Sequence, residues 1–260
     1  MTVDRDYELF KQKVKVKIGL DLSSYKEQQM RRRINQLMQR YNMPDYAEFL
    51  QLLNKDPLIL KHFTDYLTIN TSQFFRDPAV YQALETELLP ALLKKGESVK
   101  IWSAGCSIGA EPYSLAILLQ DKAPGGDWRI LATDFDLSIL DKAKIGKYPE
   151  NTLSKVPLRF RQRHFTEQDG QFILDERIKS LIQFRQQNLL TDRFETNCDI
   201  ILCRNVFIYF TVETQDALIT RFSQSLKPDG YFIIGCSEMI ADPTRFKLKK
   251  VKPAIYQKIS

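Results

Sequence analysis

Residues 101–114 read IWSAGCSIGAEPYS, and the next apolar run, 128–133, ends on Asp134. Val99 to Ser103 reads as a short buried strand. Gly105 and Gly109 bracket a tight loop. Glu111 to Gln120 reads as a helix with Pro112 in its first turn, where a missing N–H has no helical partner to lose. Trp128 to Thr133 reads as a second strand. Strand, glycine loop, helix, strand and acid is the layout of a nucleotide-binding βαβ unit. The loop lets a ligand approach the backbone, and the acid can accept both hydroxyls of a ribose.

The loop is G-x-x-x-G, and Gly105 lies 29 residues before Asp134, longer than the about 20 of the dinucleotide fingerprint. A phosphate calls for free amides at a helix N-terminus, and Glu111 in that first turn opposes one. A cationic or neutral nucleoside fits better. S-adenosylmethionine is such a ligand: an adenosine carrying a sulfonium and an amino acid, without phosphate. Glu111 can also serve only to complement the helix dipole; the presence of Asp134 favours the ligand.

The 260 residues allow one large domain, or a small and a medium one. No apolar run approaches the about 20 residues that span a bilayer. The N-terminus, MTVDRDYELF, has acids where a secretory signal would have a basic start. A cytoplasmic protein without membrane insertion is expected. Cys106, Cys198, Cys203 and Cys236 lie in or beside expected core strands without a C-x-x-C pair, and read as small buried hydrophobes. His62 and His164 are the only histidines, which excludes a histidine-rich metal site; no metal is expected. Residues 11–40 hold nine Lys/Arg against Asp21 and Glu27, a net +7 that exceeds the +6 of the whole chain. Such a concentrated basic face implies an acidic or polyanionic partner.

The first 69 residues read as helical. Ser24-x-x-Glu27 reads as a capping box, followed by Met30, Ile34, Leu37, Met38 and Tyr41 at helical spacing. Lys26, Arg33 and Arg40, seven apart, line one flank of that helix. Asp45-x-x-Glu48 and Asp56-Pro57 open two more helices, and Asp77-Pro78 opens a longer one running to about Leu93. From Val99, short apolar runs alternate with helical segments, which predicts a parallel sheet flanked by helices. Strands are expected at 99–103, 128–133, 182–187, 199–204 and 230–236, with a late antiparallel pair near 246–250 and 254–259. Lys227-Pro228-Asp229-Gly230 reads as a turn ahead of the 230–236 strand. The stretch 149–181 breaks the alternation, and its Asp169-Gly170 between apolar residues signals a hairpin. It reads as a small antiparallel insertion at the sheet's edge.

Two further runs carry polar groups at places where a ligand could use them. NTSQFFRD, 70–77, sets Asn70, Ser72 and Arg76 among Phe74 and Phe75 between the two regions. DIILCRNVFIYF, 199–210, ends a buried strand at Arg204-Asn205. Carboxyl ends of strands in open α/β sheets face the ligand crevice, so Asn205 is expected beside Gly105 and Asp134. Tyr209 follows four residues later, and Asn188 follows the strand ending near Gln187.

NTSQFFRD, WSAGCSIGAEPYS, TDFD (133–136), NLL (188–190) and RNVFIYF (204–210), in this order and spacing, resemble the chemotaxis receptor methyltransferases of the CheR family. The resemblance covers nearly the whole chain. It implies a Rossmann-like, class I S-adenosylmethionine-dependent methyltransferase domain with a small antiparallel β-subdomain, preceded by a small all-α domain. The implied division is a basic helical domain over 1–69, a linker over 70–81 that contributes cofactor contacts, and the methyltransferase domain over 82–260 with its insertion at about 149–181. The implied activity is γ-methyl ester formation on glutamate side chains of chemoreceptor cytoplasmic helices, with S-adenosylhomocysteine as coproduct, in chemotaxis adaptation.

Residue by residue, the resemblance implies cofactor contacts from Asn70, Ser72 and Arg76 of the linker. It adds Glu111, Asp134, Asn188, Leu189, Asn205 and Val206 around the nucleoside and amino-acid parts. Arg76 and Tyr209 would lie near the transferred methyl as catalytic residues. Lys26, Arg33 and Arg40 would grip the acidic receptor helix. Ser72 stands where the family often has threonine and keeps the hydroxyl. Ala110 stands where some members have an acid, which leaves Glu111 as the acid. A monomer that binds no nucleic acid is expected.

Two rival readings attach to the same residues. Gly105-x-Ser107-x-Gly109 matches the nucleophile elbow of a serine hydrolase, but the histidine that must follow the acid is available only as His164, inside the expected insertion. The basic helical region suggests a nucleic-acid methyltransferase, but the segment after the fourth strand is Arg204-Asn205-Val206-Phe207, without the prolines typical of base-amino methylation.

Overall fold

The computed structural model describes residues 2–68 and 72–259. The chain divides into two compact units: residues up to 69 with 208–217, and residues 70–207 with 218–260.

In the helical unit, α1 (Thr2–Ile18), α2 (Glu27–Arg40), α3 (Tyr46–Lys55) and α4 (Pro57–Leu67) enclose an aromatic core. Phe10 stacks on Phe49 with ring centroids 6.0 Å apart, and Phe63 meets Phe49 edge-on at 5.7 Å. Ile34, Leu37 and Leu53 are buried around them. Each such side chain contributes about 1.5–3 kcal/mol by leaving water. The starts of α3 and α4 follow from their caps: Asp45 accepts the Glu48 N–H, and Asp56 accepts those of Leu58 and Ile59 ahead of Pro57.

The start of α2 differs from the expected capping box. Asp21 caps a short 3-10 turn over Leu22–Ser24 by accepting the Ser23 N–H. Tyr25 is then extended and bridges Phe210 in antiparallel fashion, and the Ser24 carbonyl accepts the Thr211 N–H. The helix therefore starts at Glu27 behind Lys26, which makes no side-chain cap. Pairing with residues nearly 190 positions away overrides the local signal.

The second unit is built on a seven-stranded sheet. Its strands are β1 (Val99–Ala104), β2 (Trp128–Asp134), β6 (Ile182–Gln186), β7 (Cys198–Leu202), β8 (Leu226–Ile233), β9 (Leu248–Lys252) and β10 (Ile255–Lys258). They lie in the order β6-β2-β1-β7-β8-β10-β9. The first five are parallel, and β10 runs antiparallel to both β8 and β9. The strand order reverses at β1, between β2 and β7, which places the ligand crevice of an open α/β sheet at the carboxyl ends of these strands. The insertion forms a separate three-stranded sheet of β3 (Lys147–Pro149), β4 (Phe165–Gln168) and β5 (Gln171–Leu174), in the order β3-β5-β4. Asp169 and Gly170 turn the β4–β5 hairpin with φ of 51° and 71°, as a type I′ turn requires.

α7 (Ala110–Lys122) is buried at every position from Ala110 to Leu119, so its apolar surface is continuous rather than a stripe. α8 (Leu137–Ile145), capped by Asp136, follows β2. α9 (Leu158–His164) and α10 (Glu176–Lys179) belong to the insertion, and α11 (Val212–Ser225) precedes β8.

Three further expectations change. The helix opened by Asp77-Pro78 is α5 (Pro78–Ala83), a π-helical stretch over Leu84–Leu88, and α6 (Leu89–Leu93). Pro90 has no N–H for the Thr86 carbonyl, and the Leu89 N–H bonds back to Leu84, which absorbs the break. The Lys227–Gly230 stretch lies within β8, not before it. The pairing with β7 shifts register there, and Asp229 takes a φ of 61°, so the turn residues make a bulge. Cys236 is exposed, while Cys106, Cys198 and Cys203 are buried.

Candidate active site

The crevice is built from the segments that leave β1, β2, β6 and β7, and from the linker 72–77. After β1, the N–H groups of Gly105 and Cys106 both donate to the Thr133 carbonyl at the end of β2, at 2.8 and 2.9 Å. This draws the glycine loop over the neighbouring strand. Gly105 has a φ of +77°, and a Cβ there would lie 2.8 Å from Val206 Cγ2. The left-handed backbone and the close approach of the Val206 side chain at the switch point thus require glycine.

Asp134 ends β2 with its side chain buried. Its Oδ2 accepts the Ser107 N–H at 2.8 Å and its Oδ1 the Asp136 N–H at 3.1 Å. Burial pushes its pKa up to about 6, against the opposing pull of these backbone N–H groups. Each oxygen retains acceptor capacity beyond the one bond it makes. Next to it, the buried Ser107 Oγ has no hydrogen-bond partner among the described residues.

Arg204 follows β7 and is the hub of the site. Its side chain is 3% exposed. Nη1 donates to Glu111 Oε2 at 3.1 Å. Nη2 donates to the Arg76 carbonyl and to Asp77 Oδ2, each at 2.7 Å. Its ring neighbour is Tyr81, 5.7 Å from the guanidinium carbon. Burial works against the Arg204 charge, but Glu111, Tyr81 and Asp77 outweigh it and hold the guanidinium firmly protonated. The other Glu111 oxygen accepts the Ser103 hydroxyl at 2.7 Å. Two carboxylates on one guanidinium leave this cluster with a net negative charge. That favours a cationic ligand group and opposes a phosphate.

The linker is pinned by its backbone. The Phe74 N–H donates to the Thr152 carbonyl at 3.1 Å, and the Phe75 N–H to Ser114 Oγ at 3.0 Å. Phe74 packs edge-on to Tyr148 and Phe165, and Phe75 stacks on Phe160. Ser72 and Arg76 are half-buried and flank these two anchors; Asn70 lies outside the described residues. On the opposite side of the loop after β7, Glu238 Oε2 accepts the Asn205 N–H at 2.9 Å and the Gly235 N–H at 2.6 Å. Beyond β6, the Gln187 N–H donates to the Asp134 carbonyl, which brings Asn188 and Leu189 to the same edge. Asn188 Oδ1 accepts the Leu190 N–H, and the Leu189 carbonyl accepts from Arg221.

Of the residues expected at the site, Arg76, Glu111, Asp134, Asn188, Leu189, Asn205 and Val206 thus converge on one edge of the sheet. Tyr209, Lys26, Arg33 and Arg40 belong to the helical unit, where the Tyr209 carbonyl accepts the Lys26 N–H at 2.8 Å. Arg33 donates to the Tyr66 carbonyl, and the guanidinium carbons of Arg33 and Arg40 lie 4.6 and 5.2 Å from the Tyr66 ring centroid. Sequence reasoning missed Arg204, Glu238, Ser103 and Ser114 as supports. Arg204 carried a signal, a charged residue at the end of a buried strand. The two serines lie among apolar neighbours and carried none.

The donor set fits S-adenosylmethionine. Asp134 offers acceptors to ribose hydroxyls, the Arg204–Glu111–Asp77 cluster offers negative charge, and the Gly105 loop offers the close backbone approach. A strand-end crevice of this kind, on a sheet whose first five strands are parallel, defines a Rossmann-like nucleoside-binding domain.

The chain matches the family model described as the CheR methyltransferase SAM binding domain over residues 70–255, and that of the CheR methyltransferase all-alpha domain over residues 5–68. It is 37% identical over 257 residues to a chemotaxis protein methyltransferase of Listeria monocytogenes, covering 98% of each chain. It is 31% identical over 264 residues to chemotaxis protein methyltransferase 1 of Pseudomonas aeruginosa, covering 96% of each. A solved TehB-like SAM-dependent methyltransferase from Corynebacterium glutamicum is similar with a TM-score of 0.40 at 17% identity, over 66% of this chain and 84% of that one. The protein belongs to the CheR methyltransferase family.

Neither rival reading finds support. Among the described residues, Ser107 Oγ has no base within hydrogen-bonding distance, and the charged groups around His164 are Arg163, Asp175 and Asp121. No helix among the described residues is long and apolar enough to cross a membrane.

Proposed function

We propose that the protein methylates glutamate side chains on the cytoplasmic helices of chemoreceptors, with Arg76 and Tyr209 as its catalytic residues. The observation that carries the reading is the linker arginine anchored, through the Arg204 bond to its carbonyl, to the crevice acid Glu111. When bound, S-adenosylmethionine supplies a methyl group on a cationic sulfur that departs as a neutral thioether. The glutamate substrate has an ordinary pKa of about 4.3 and is already ionised near neutrality, so no general base is required. A site whose motifs contain no histidine suits this chemistry.

The work left to the protein is alignment, which for well-placed reactants reaches about 7–11 kcal/mol. Arg76 orients the incoming carboxylate by charge-assisted hydrogen bonds. Tyr209 steadies the methyl end of the cofactor. Asn70, Ser72, Arg76, Glu111, Asp134, Asn188, Leu189, Asn205 and Val206 hold the cofactor. Lys26, Arg33 and Arg40 attract an acidic receptor helix. The enzyme acts as a cytoplasmic monomer and takes no nucleic acid. Methyl transfer from labelled S-adenosylmethionine to a chemoreceptor cytoplasmic fragment tests the reading. A base-labile labelled product is expected; binding of S-adenosylhomocysteine with no transfer to any receptor fragment would overturn it.

A further inference from the structure

The linker holds an unusual backbone on either side of Arg76. Phe75 has a φ of 51° and Asp77 a φ of 60°. Neither residue is a glycine, and a bulky aromatic in the left-handed region is a genuine outlier. Such conformations persist only where the surroundings over-determine them, and they cluster at functional sites. Here the surroundings are identifiable. The Phe75 N–H is fixed by Ser114 Oγ on α7. The next two anchors, the Arg76 carbonyl and the Asp77 carboxylate, both converge on one nitrogen, Nη2 of Arg204. The same guanidinium reaches Glu111 through Nη1.

We infer that Arg204 is a positioning residue for methyl transfer: its guanidinium fork clamps the strained Phe75–Asp77 turn and thereby sets where the Arg76 side chain stands relative to Glu111. A buried ion pair alone would be weak grounds, since replacing one is often neutral for stability. The fork geometry is what matters. Three acceptors from two distant segments are gathered by one planar group, which a point charge such as lysine cannot reproduce. Asp77 opens α5 yet makes no side-chain cap bond there; its carboxylate is committed to Arg204 instead. Nothing in this arrangement requires Arg204 to touch the reacting atoms.

The inference rests on the reading of Arg76 given above, and a double-mutant cycle separates the two. Methyl transfer to a receptor fragment is measured for Arg76→Ala, Arg204→Lys and the pair. Arg204→Lys is expected to lower kcat roughly tenfold or more, because small misplacements of an aligning group are costly, with KM for the receptor fragment little changed. The double variant is expected to be no slower than Arg76→Ala alone. Losses that multiply in the double variant, or an Arg204→Lys enzyme with unchanged kcat, would overturn the positioning role while leaving Arg76 in place. Full turnover by Arg76→Ala would instead remove the reading of Arg76 and the inference with it. Should Arg204→Lys not fold, Asp77→Asn replaces it in the cycle. A smaller kcat loss, absent in the Arg76→Ala background, is expected there, and a multiplying loss or none overturns the inference.

Discussion

A single carboxylate oxygen, Glu238 Oε2, accepts the backbone N–H of Asn205 at 2.9 Å and that of Gly235 at 2.6 Å. It thereby ties the segment after β8 to the segment after β7. Asn205 stands at a φ of 61°, a conformation asparagine tolerates better than most residues. A Cβ on Gly235 would lie 2.7 Å from Asn205 Nδ2 and 2.9 Å from the Glu238 carboxylate. The asparagine at the crevice is thus held from three sides: by its own backbone, by Glu238, and by the space Gly235 leaves.

Glu238→Ala strips the acceptor from two N–H groups, and each donor left without a partner costs about 1–3 kcal/mol when buried. We expect a lower melting temperature together with weaker binding of S-adenosylhomocysteine. Glu238→Gln keeps one acceptor oxygen and is expected to fall between the two. Thermal melting and calorimetry check this. An alanine variant with native melting and native affinity would show that Asn205 keeps its place without help.

Gly105→Ala meets two separable penalties. The φ of +77° strains any residue with a Cβ, and the new methyl would press on Val206 Cγ2 from 2.8 Å. Together these are expected to weaken cofactor binding at least tenfold and to destabilise the fold by about 1–3 kcal/mol. Adding Val206→Ala removes the collision and leaves the backbone strain. Partial recovery of affinity in the double variant is therefore expected. Complete recovery would mean that the glycine is required for space alone.

The parallel core was legible because β1, β2 and β7 are short, largely apolar runs, and because Gly105 and Asp134 mark strand ends with Glu111 in the first turn of the helix between them. The hairpin at Asp169-Gly170 was legible for the same local reason. What escaped were the places where a distant partner overrules the chain's own signal. Ser24 carries a capping pattern, but the pairing of Tyr25 with Phe210 delays the helix. Lys227 to Gly230 carries a turn pattern, but neighbouring β7 draws it into a bulged strand. Glu238 joins the site through two backbone N–H groups, and such bonds leave no pattern in a sequence. Arg204 was in plain view beside Asn205, yet its partners Asp77 and Glu111 lie 127 and 93 residues away.

The elevated pKa of Asp134, about 6, has a signed consequence. Its carboxyl must be ionised to accept two ribose hydroxyls while still accepting the N–H groups of Ser107 and Asp136. Affinity for S-adenosylhomocysteine is therefore expected to be constant above about pH 7 and to fall below pH 6, by up to about tenfold per unit for one linked proton. Folding responds in the opposite sense. An acid whose pKa is raised in the folded state favours folding below its unfolded value, 3.8, and that contribution is lost as pH rises through about 6. Calorimetry across this window, repeated on Asp134→Asn, isolates the group. A variant that keeps the same pH step would assign the titration elsewhere.

Lys26, Arg33 and Arg40, on and just before α2, are not equivalent. Arg33 is half-buried, its Nε is buried without a partner among the described residues, and its guanidinium donates to the Tyr66 carbonyl while lying over that ring. Arg40 is exposed but also faces the Tyr66 ring, and Lys26 is exposed at the helix start. Arg33→Ala is therefore expected to act mainly on the fold, at about 1–2 kcal/mol for a hydrogen bond and a cation–π contact. Lys26→Ala is expected to raise KM for a receptor fragment at low salt without changing the melting temperature. That difference should shrink as salt shortens the screening length to about 10 Å at 0.1 M and below that at higher salt. Arg40→Ala should show both effects in part. Steady-state kinetics at two ionic strengths, beside thermal melting, resolve the three. A Lys26→Ala enzyme whose KM matches the native value at low salt would remove that lysine from receptor capture. An Arg33→Ala protein that melts normally would return Arg33 to the surface that meets the receptor.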